Sequence, residues 1–131
     1  MNKKTVNDLI PYAYEALRES GIAKKGRIDK KYRSQISSFG AAITMGSLLS
    51  AIAFFSDKGS AEVDRQEVDR QKLMDAILYI LKNHKKCGDD IKKLYEYVNK
   101  QKNNSSNYKA QEDIINAAIS LKLAMNLYTL E

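Results

Sequence analysis

Between Arg33 and Asp57 the chain runs for 23 residues, Ser34–Ser56, without a charged side chain. That length is enough to cross a bilayer. The composition argues otherwise, because six Ser, one Thr and Gln35 lie inside the run and only nine of the 23 residues are bulky and apolar. A helix that is apolar on several faces suits the centre of a soluble bundle. The run is therefore expected to form a long buried central helix, entered from about Asp29. Met45, Leu48, Leu49, Ile52 and Phe55 make one stripe on it, and Tyr32, Ile36, Phe39 and Ile43 make another. Ser38, Ala42, Gly46 and Ser50 recur every four residues, a small-residue row that lets another helix approach closely.

The flanking segments are helical in period as well. Val6, Leu9, Ile10, Ala13, Tyr14 and Leu17 predict a first helix over about Thr5–Ser20, with Thr5 and Asp8 in a capping-box relation and Pro11 near its start. An identical tandem repeat follows the central run, Glu62–Gln66 and then Glu67–Gln71, each reading Glu-Val-Asp-Arg-Gln. Five residues are not a whole number of helical turns, so the copies cannot share a face; the repeat reads as a duplication that lengthens a surface segment. Leu73, Ala76, Ile77, Ile80, Leu81 and His84 then form one helical face, with Gly88 as a C-cap. Asp89 or Asp90 is expected to cap the next helix, whose face is Ile91, Leu94, Tyr95 and Val98. A polar loop, Lys102–Asn107, leads to a last helix over about Tyr108–Leu130. No segment alternates as a half-buried strand does. The fold expected is all-α, a single-domain bundle of about five helices over residues 1–131.

Little in the chain supports catalysis. One His and one Cys, His84 and Cys87, leave no further soft ligand for a metal, so a helix-end histidine and a small helix-end cysteine are the simpler readings. The acid pairs Asp89–Asp90 and Glu112–Asp113 stand where helices are expected to begin, and there carboxylates serve the orphan N–H groups. No Gly-rich phosphate loop is present. No enzyme activity, cofactor, metal or small-molecule substrate is expected. The N-terminal residues lack the apolar run of a signal peptide, so a cytoplasmic location and no membrane partner are expected.

The charge is local. The chain carries 22 Lys+Arg against 16 Asp+Glu, a net +6. Lys24, Lys25, Arg27, Lys30, Lys31 and Arg33, with only Asp29 among them, account for +5 of it in ten positions. Six crowded cations are relieved by polyanion phosphates, with release of counterions. Asp29 reads as an N-cap, which places Lys30, Lys31 and Arg33 at the positive end of a helix, where a bound phosphate would offset them. A solvated loop that keeps the protein soluble explains the same charges. Tyr32 fits the apolar stripe with Ile36 better than a base-stacking role. Arg65, Arg70, Lys72, Lys82, Lys85 and Lys86 are further cations able to extend the surface.

At the central run the residues resemble a known family. Lys30-Lys-Tyr-Arg-Ser-Gln-Ile-Ser-Ser-Phe-Gly-Ala-Ala-Ile43 and Gly46–Phe55 (GSLLSAIAFF) are similar to the small helical subunit of the Cmr complex, the type III-B CRISPR effector. The similarity continues through Asp57–Arg65 and Lys72–Ile77, and again in Tyr108–Leu127 with Asn116-Ala-Ala118 and Leu121. One copy of Glu-Val-Asp-Arg-Gln is expected there, not two. The resemblance implies a non-catalytic subunit that stacks beside the helical backbone subunits and neighbouring small subunits of an antiviral ribonucleoprotein. Its basic surface would then meet the guide RNA and target RNA backbone without reading sequence. The family pattern covers Lys30, Lys31 and Arg33 as RNA-contact residues, whereas Lys24, Lys25 and Arg27 rest on charge alone. A structural adaptor for an acidic protein partner and a stand-alone DNA-binding protein are the other readings. The second is weakened because Ser34–Phe55 offers almost no long polar side chain for base edges.

Overall fold

The computed structural model describes residues 2–56, 69–84, 88, 90–102 and 107–131. Among these residues there are six helices: α1 (Lys3–Glu19), α2 (Lys30–Met45), α3 (Leu48–Phe55), α4 (Arg70–Asn83), α5 (Leu94–Lys102) and α6 (Asn107–Met125). Two short strands, β1 (Arg27–Ile28) and β2 (Thr129–Leu130), pair in parallel, Arg27 opposite Thr129 and Ile28 opposite Leu130. The helical bundle is as expected; the strands are not. A two-residue strand is too short to show an alternation, so no sequence pattern announces it.

The central run does not form one helix. Gly46 ends α2, and a Cβ there would lie 3.0 Å from the carbonyl oxygen of Ala42, so glycine permits the close backbone turn. Ser47 then caps α3, its Oγ accepting the N–H of Ser50 at 3.1 Å. The residues expected as one small row are thereby split, and Ser38, Gly46 and Ser50 lie exposed. Nor is α2 the buried centre. It buries one stripe, Tyr32, Ile36, Phe39 and Ile43, whereas α4 buries seven of its 14 residues, Ile77 and Ile80 fully. Small and hydroxylated residues of the uncharged run bring little apolar area to bury, and α4 and α6 bring more. Phe39 and Phe55 meet edge to face, centroids 5.1 Å apart, closing the core where α2 and α3 fold together.

Several boundaries move by a turn. Asn2, not the Thr5–Asp8 pair, caps α1, its side chain accepting the Thr5 N–H at 3.1 Å. The same residue donates its backbone N–H to the buried Asn116 of α6. The helix runs through Pro11, where the missing donor would have served the Asn7 carbonyl; both residues are exposed, which lessens the cost of that lost bond. His84, not Gly88, is the C-cap of α4. α5 begins at Leu94 rather than near Asp90, so its buried face is Leu94, Tyr97 and Val98, and Tyr95 is exposed. Glu112 and Asp113 stand in the second turn of α6, away from its orphan donors, and Asp113 instead accepts the Tyr97 hydroxyl at 2.8 Å.

The repeat has an asymmetric outcome. Its second copy supplies the cap of α4, Asp69, whose carboxylate accepts the Gln71 N–H at 2.9 Å and whose own N–H donates to the Tyr32 hydroxyl at 3.1 Å. The first copy lies outside the described residues, as do Lys85, Lys86, Cys87 and Asp89. No described helix is long and apolar enough to cross a membrane.

Candidate nucleic-acid interface

The basic stretch is shaped by a tight reversal. Lys24 and Arg27 exchange both backbone hydrogen bonds, at 2.9 and 3.0 Å, across Lys25 and Gly26. Both central residues have positive φ, 54° and 78°, the requirement of a type I′ turn. Lys24, Lys25 and Arg27 are all exposed there, with Lys25 at the tip. Two residues on, Asp29 caps α2 as expected, its carboxylate accepting the Lys31 N–H at 2.9 Å. Lys30 is exposed on the first turn, and Lys31 and Arg33 are half-buried.

Chain residues far apart in sequence complete the surface. β2 lies along β1, with the Thr129 N–H on the Gly26 carbonyl and the Glu131 N–H on that of Ile28. Tyr128 anchors this strand, stacked on Tyr14 with centroids 4.6 Å apart and donating its hydroxyl to the Tyr14 carbonyl at 2.9 Å. Burial, with the neighbouring Tyr14 adding to it, pushes the Tyr128 phenol up to about 12. Successive residues of a strand face opposite sides. Leu130 and Glu131 accordingly separate two cationic hollows.

On the Leu130 side a shallow groove of about 660 Å³ collects Lys30, Lys31 and Arg33 with Ser34, Ser37 and Lys122. None of its lining residues is acidic. Arg33 Nε is buried beside it with no hydrogen-bond partner among the described residues. On the Glu131 side a smaller cleft of about 320 Å³ is lined by Lys24, Arg27 and Lys72 together with Asp29 and Glu131. Glu131 Oε1 lies 3.2 Å from the Arg27 guanidinium. The six expected contact residues are thus not one patch. Three share the groove, two share the cleft, and Lys25, exposed at the tip of the turn, lines neither.

Sequence reasoning missed Lys122, which reaches the groove from α6, and Glu131, which neutralises Arg27. A juxtaposition of residues about 90–105 positions apart has no signature in local periodicity. Among the other cations, Lys72 joins the cleft, but Arg70 is committed elsewhere: its guanidinium lies over the Phe54 ring and its Nε donates to Gln35 at 3.0 Å. Tyr32 is buried, its hydroxyl bonded to the Asp69 N–H, so it belongs to the core and not to a stacking platform. His84 packs edge-on to Tyr12 at the end of α4. Among the described residues no group of three or more His, Cys, Asp or Glu converges as metal ligands do.

Comparison with known proteins agrees with the resemblance in the central run. No curated protein and no solved structure matches the chain. A family model described as CRISPR-associated protein (Cas_Cmr5) matches residues 7–127. That span takes in the cap at Asp29, both halves of the central run and all of α6. The chain therefore belongs to the Cas_Cmr5 family, the small helical subunit of the type III-B CRISPR Cmr complex.

Proposed function

We propose that the chain is a non-catalytic scaffold of the Cmr complex that holds the guide–target RNA backbone in the groove of Lys30, Lys31, Arg33 and Lys122. The observation that carries this reading is the convergence of four cations from two helices on one hollow with no acid in its lining. Like charges gathered this way repel one another, and phosphates relieve the repulsion. Arg33 adds a buried donor, Nε, that has no partner among the described residues, and a phosphate oxygen is a fitting acceptor. Such contacts position a backbone and carry no sequence information, which suits a subunit serving any guide. In this reading its partners are the helical backbone subunits, neighbouring small subunits, and the guide and target RNA of a cytoplasmic antiviral ribonucleoprotein.

The test is charge reversal of Lys30, Lys31 and Arg33 together in the assembled complex. Target RNA retention is expected to fall, and the log–log salt dependence to flatten by about 0.7–0.9 for each phosphate no longer neutralised. Unchanged retention and slope would remove the RNA role. Survival of the complex after nuclease treatment, with no change in the variant, would favour protein contacts instead.

A further inference from the structure

The cleft on the other side of the C-terminal strand has a different electrostatic design. Lys24 and Arg27 enter it from the turn and Lys72 from the first turn of α4, where its ammonium passes 3.7 Å from the place a Cβ on Gly21 would occupy. Two carboxylates share the hollow with them. That of Asp29 is committed to capping α2. That of Glu131 is paired with Arg27, at 3.2 Å, with both side chains more than half exposed. The backbone of Glu131 is held by its N–H on Ile28, so the side chain can leave Arg27 while the strand stays paired.

From this arrangement we infer that the cleft of Lys24, Arg27 and Lys72 is a second phosphate station for the RNA backbone, and that the Glu131 carboxylate is a tethered competitor occupying it until RNA displaces it. The inference rests on the RNA-binding reading above. Physically, Glu131 presents to Arg27 the same anionic oxygens that a phosphodiester would. An exposed ion pair is weak and screened by salt, so exchanging it for a phosphate meets little resistance. The groove, with no acid in its lining, would engage RNA first, and the masked cleft only when the backbone continues past β2. The competitor lowers the affinity of the isolated chain for stray polyanions and leaves the groove unaffected.

The experiment uses the full chain and an RNA duplex of arbitrary sequence, titrated over a series of salt concentrations. Glu131→Gln is expected to tighten binding by about two- to fivefold, the size of an exposed ion pair no longer competing. The salt slope should steepen by about 0.7–0.9, the equivalent of one more neutralised phosphate. The gain should vanish in an Arg27→Gln background and be absent in Glu112→Gln, an exposed acid on α6 that removes the same charge. Unchanged affinity and slope in Glu131→Gln would overturn the inference, as would an equal gain in either control. Failure of the functional reading looks different. There, reversal of Lys30, Lys31 and Arg33 leaves duplex binding at the wild-type level, whatever Glu131→Gln does.

Discussion

The guanidinium carbon of Arg70 lies 4.5 Å from the centre of the Phe54 ring and 5.6 Å from that of Phe55. One cation of a duplicated pentapeptide is thus a clamp between the start of α4 and the end of α3. Its Nε on Gln35 extends the clamp to α2. Phe54 remains more than half exposed on its other side, so the arginine shields an aromatic face that the bundle leaves uncovered.

Replacing Arg70 with Ala is therefore expected to destabilise the fold by about 1–2 kcal/mol, the sum of a cation–π contact and a hydrogen bond. Arg70→Lys should recover less than half of this, because an ammonium can neither lie flat over the ring nor keep the planar fork. Urea unfolding of the three proteins measures it. Arg70→Lys, which keeps the charge, should leave RNA binding unchanged.

Removing one Glu-Val-Asp-Arg-Gln copy should leave the fold intact. Deleting either copy yields the same sequence, so the remaining Asp and Arg inherit the cap and the clamp. The twelve residues between Ser56 and Asp69 become seven, which still reach more than about 20 Å. Arg70 sits against Phe54 and Phe55, so the gap to be bridged is short. A melting temperature within about 2 °C of the parent is expected, since the shortened segment still spans that gap. A fall of more than about 5 °C would mean that the first copy makes its own stabilising contacts.

Lys122 should behave as a member of the groove. Lys122→Glu is expected to weaken RNA retention as a single reversal at Lys30 does, and to flatten the salt slope by about 0.7. Lys109→Glu, an exposed lysine of the same helix outside the groove lining, is the control and should have a smaller effect. Parallel retention assays at two salt concentrations separate the two.

The anchor of the C-terminal strand has a pH signature. The Tyr128 phenol is raised from 10.0 to about 12 in the folded chain, first by burial and then by Tyr14. An acid whose folded pKa is raised favours folding while it stays protonated. Its contribution is whole below pH 10 and is lost as pH rises from about 10 towards 12. Stability should therefore decline over that window more steeply in the wild type than in Tyr128→Phe, which also lacks the hydrogen bond to the Tyr14 carbonyl. Thermal melts at pH 9, 10, 11 and 12 test it.

Much of the bundle is legible in the sequence because helix signals are local. The stripe of α4, most of that of α1 (Tyr14 is exposed) and the cap at Asp29 follow from residue spacing within a turn or two. Local spacing misleads where a tertiary competitor intervenes. Tyr97 lies off the expected face of α5, yet it is among the most buried side chains, because the helix starts late and Asp113 accepts its hydroxyl. Phe54 and Tyr12, outside the stripes named for their segments, are exposed. The 23-residue run resembles a single helix in length and lack of charge, but Gly46 and Ser47 together form a stop and a new start within it.

By itself the sequence determined that the chain is helical, where its positive charge is concentrated, and which family it resembles, since propensity, capping and motif are written in neighbouring residues. Only the tertiary structure decided that this charge is divided. Pairing of β2 with β1 sets Leu130 on one side and Glu131 on the other, and the packing of α6 and α4 brings Lys122 and Lys72 to the two hollows. The physical reason is distance along the chain. Electrostatics acts through space over several ångströms, and only folding determines which charges come that close.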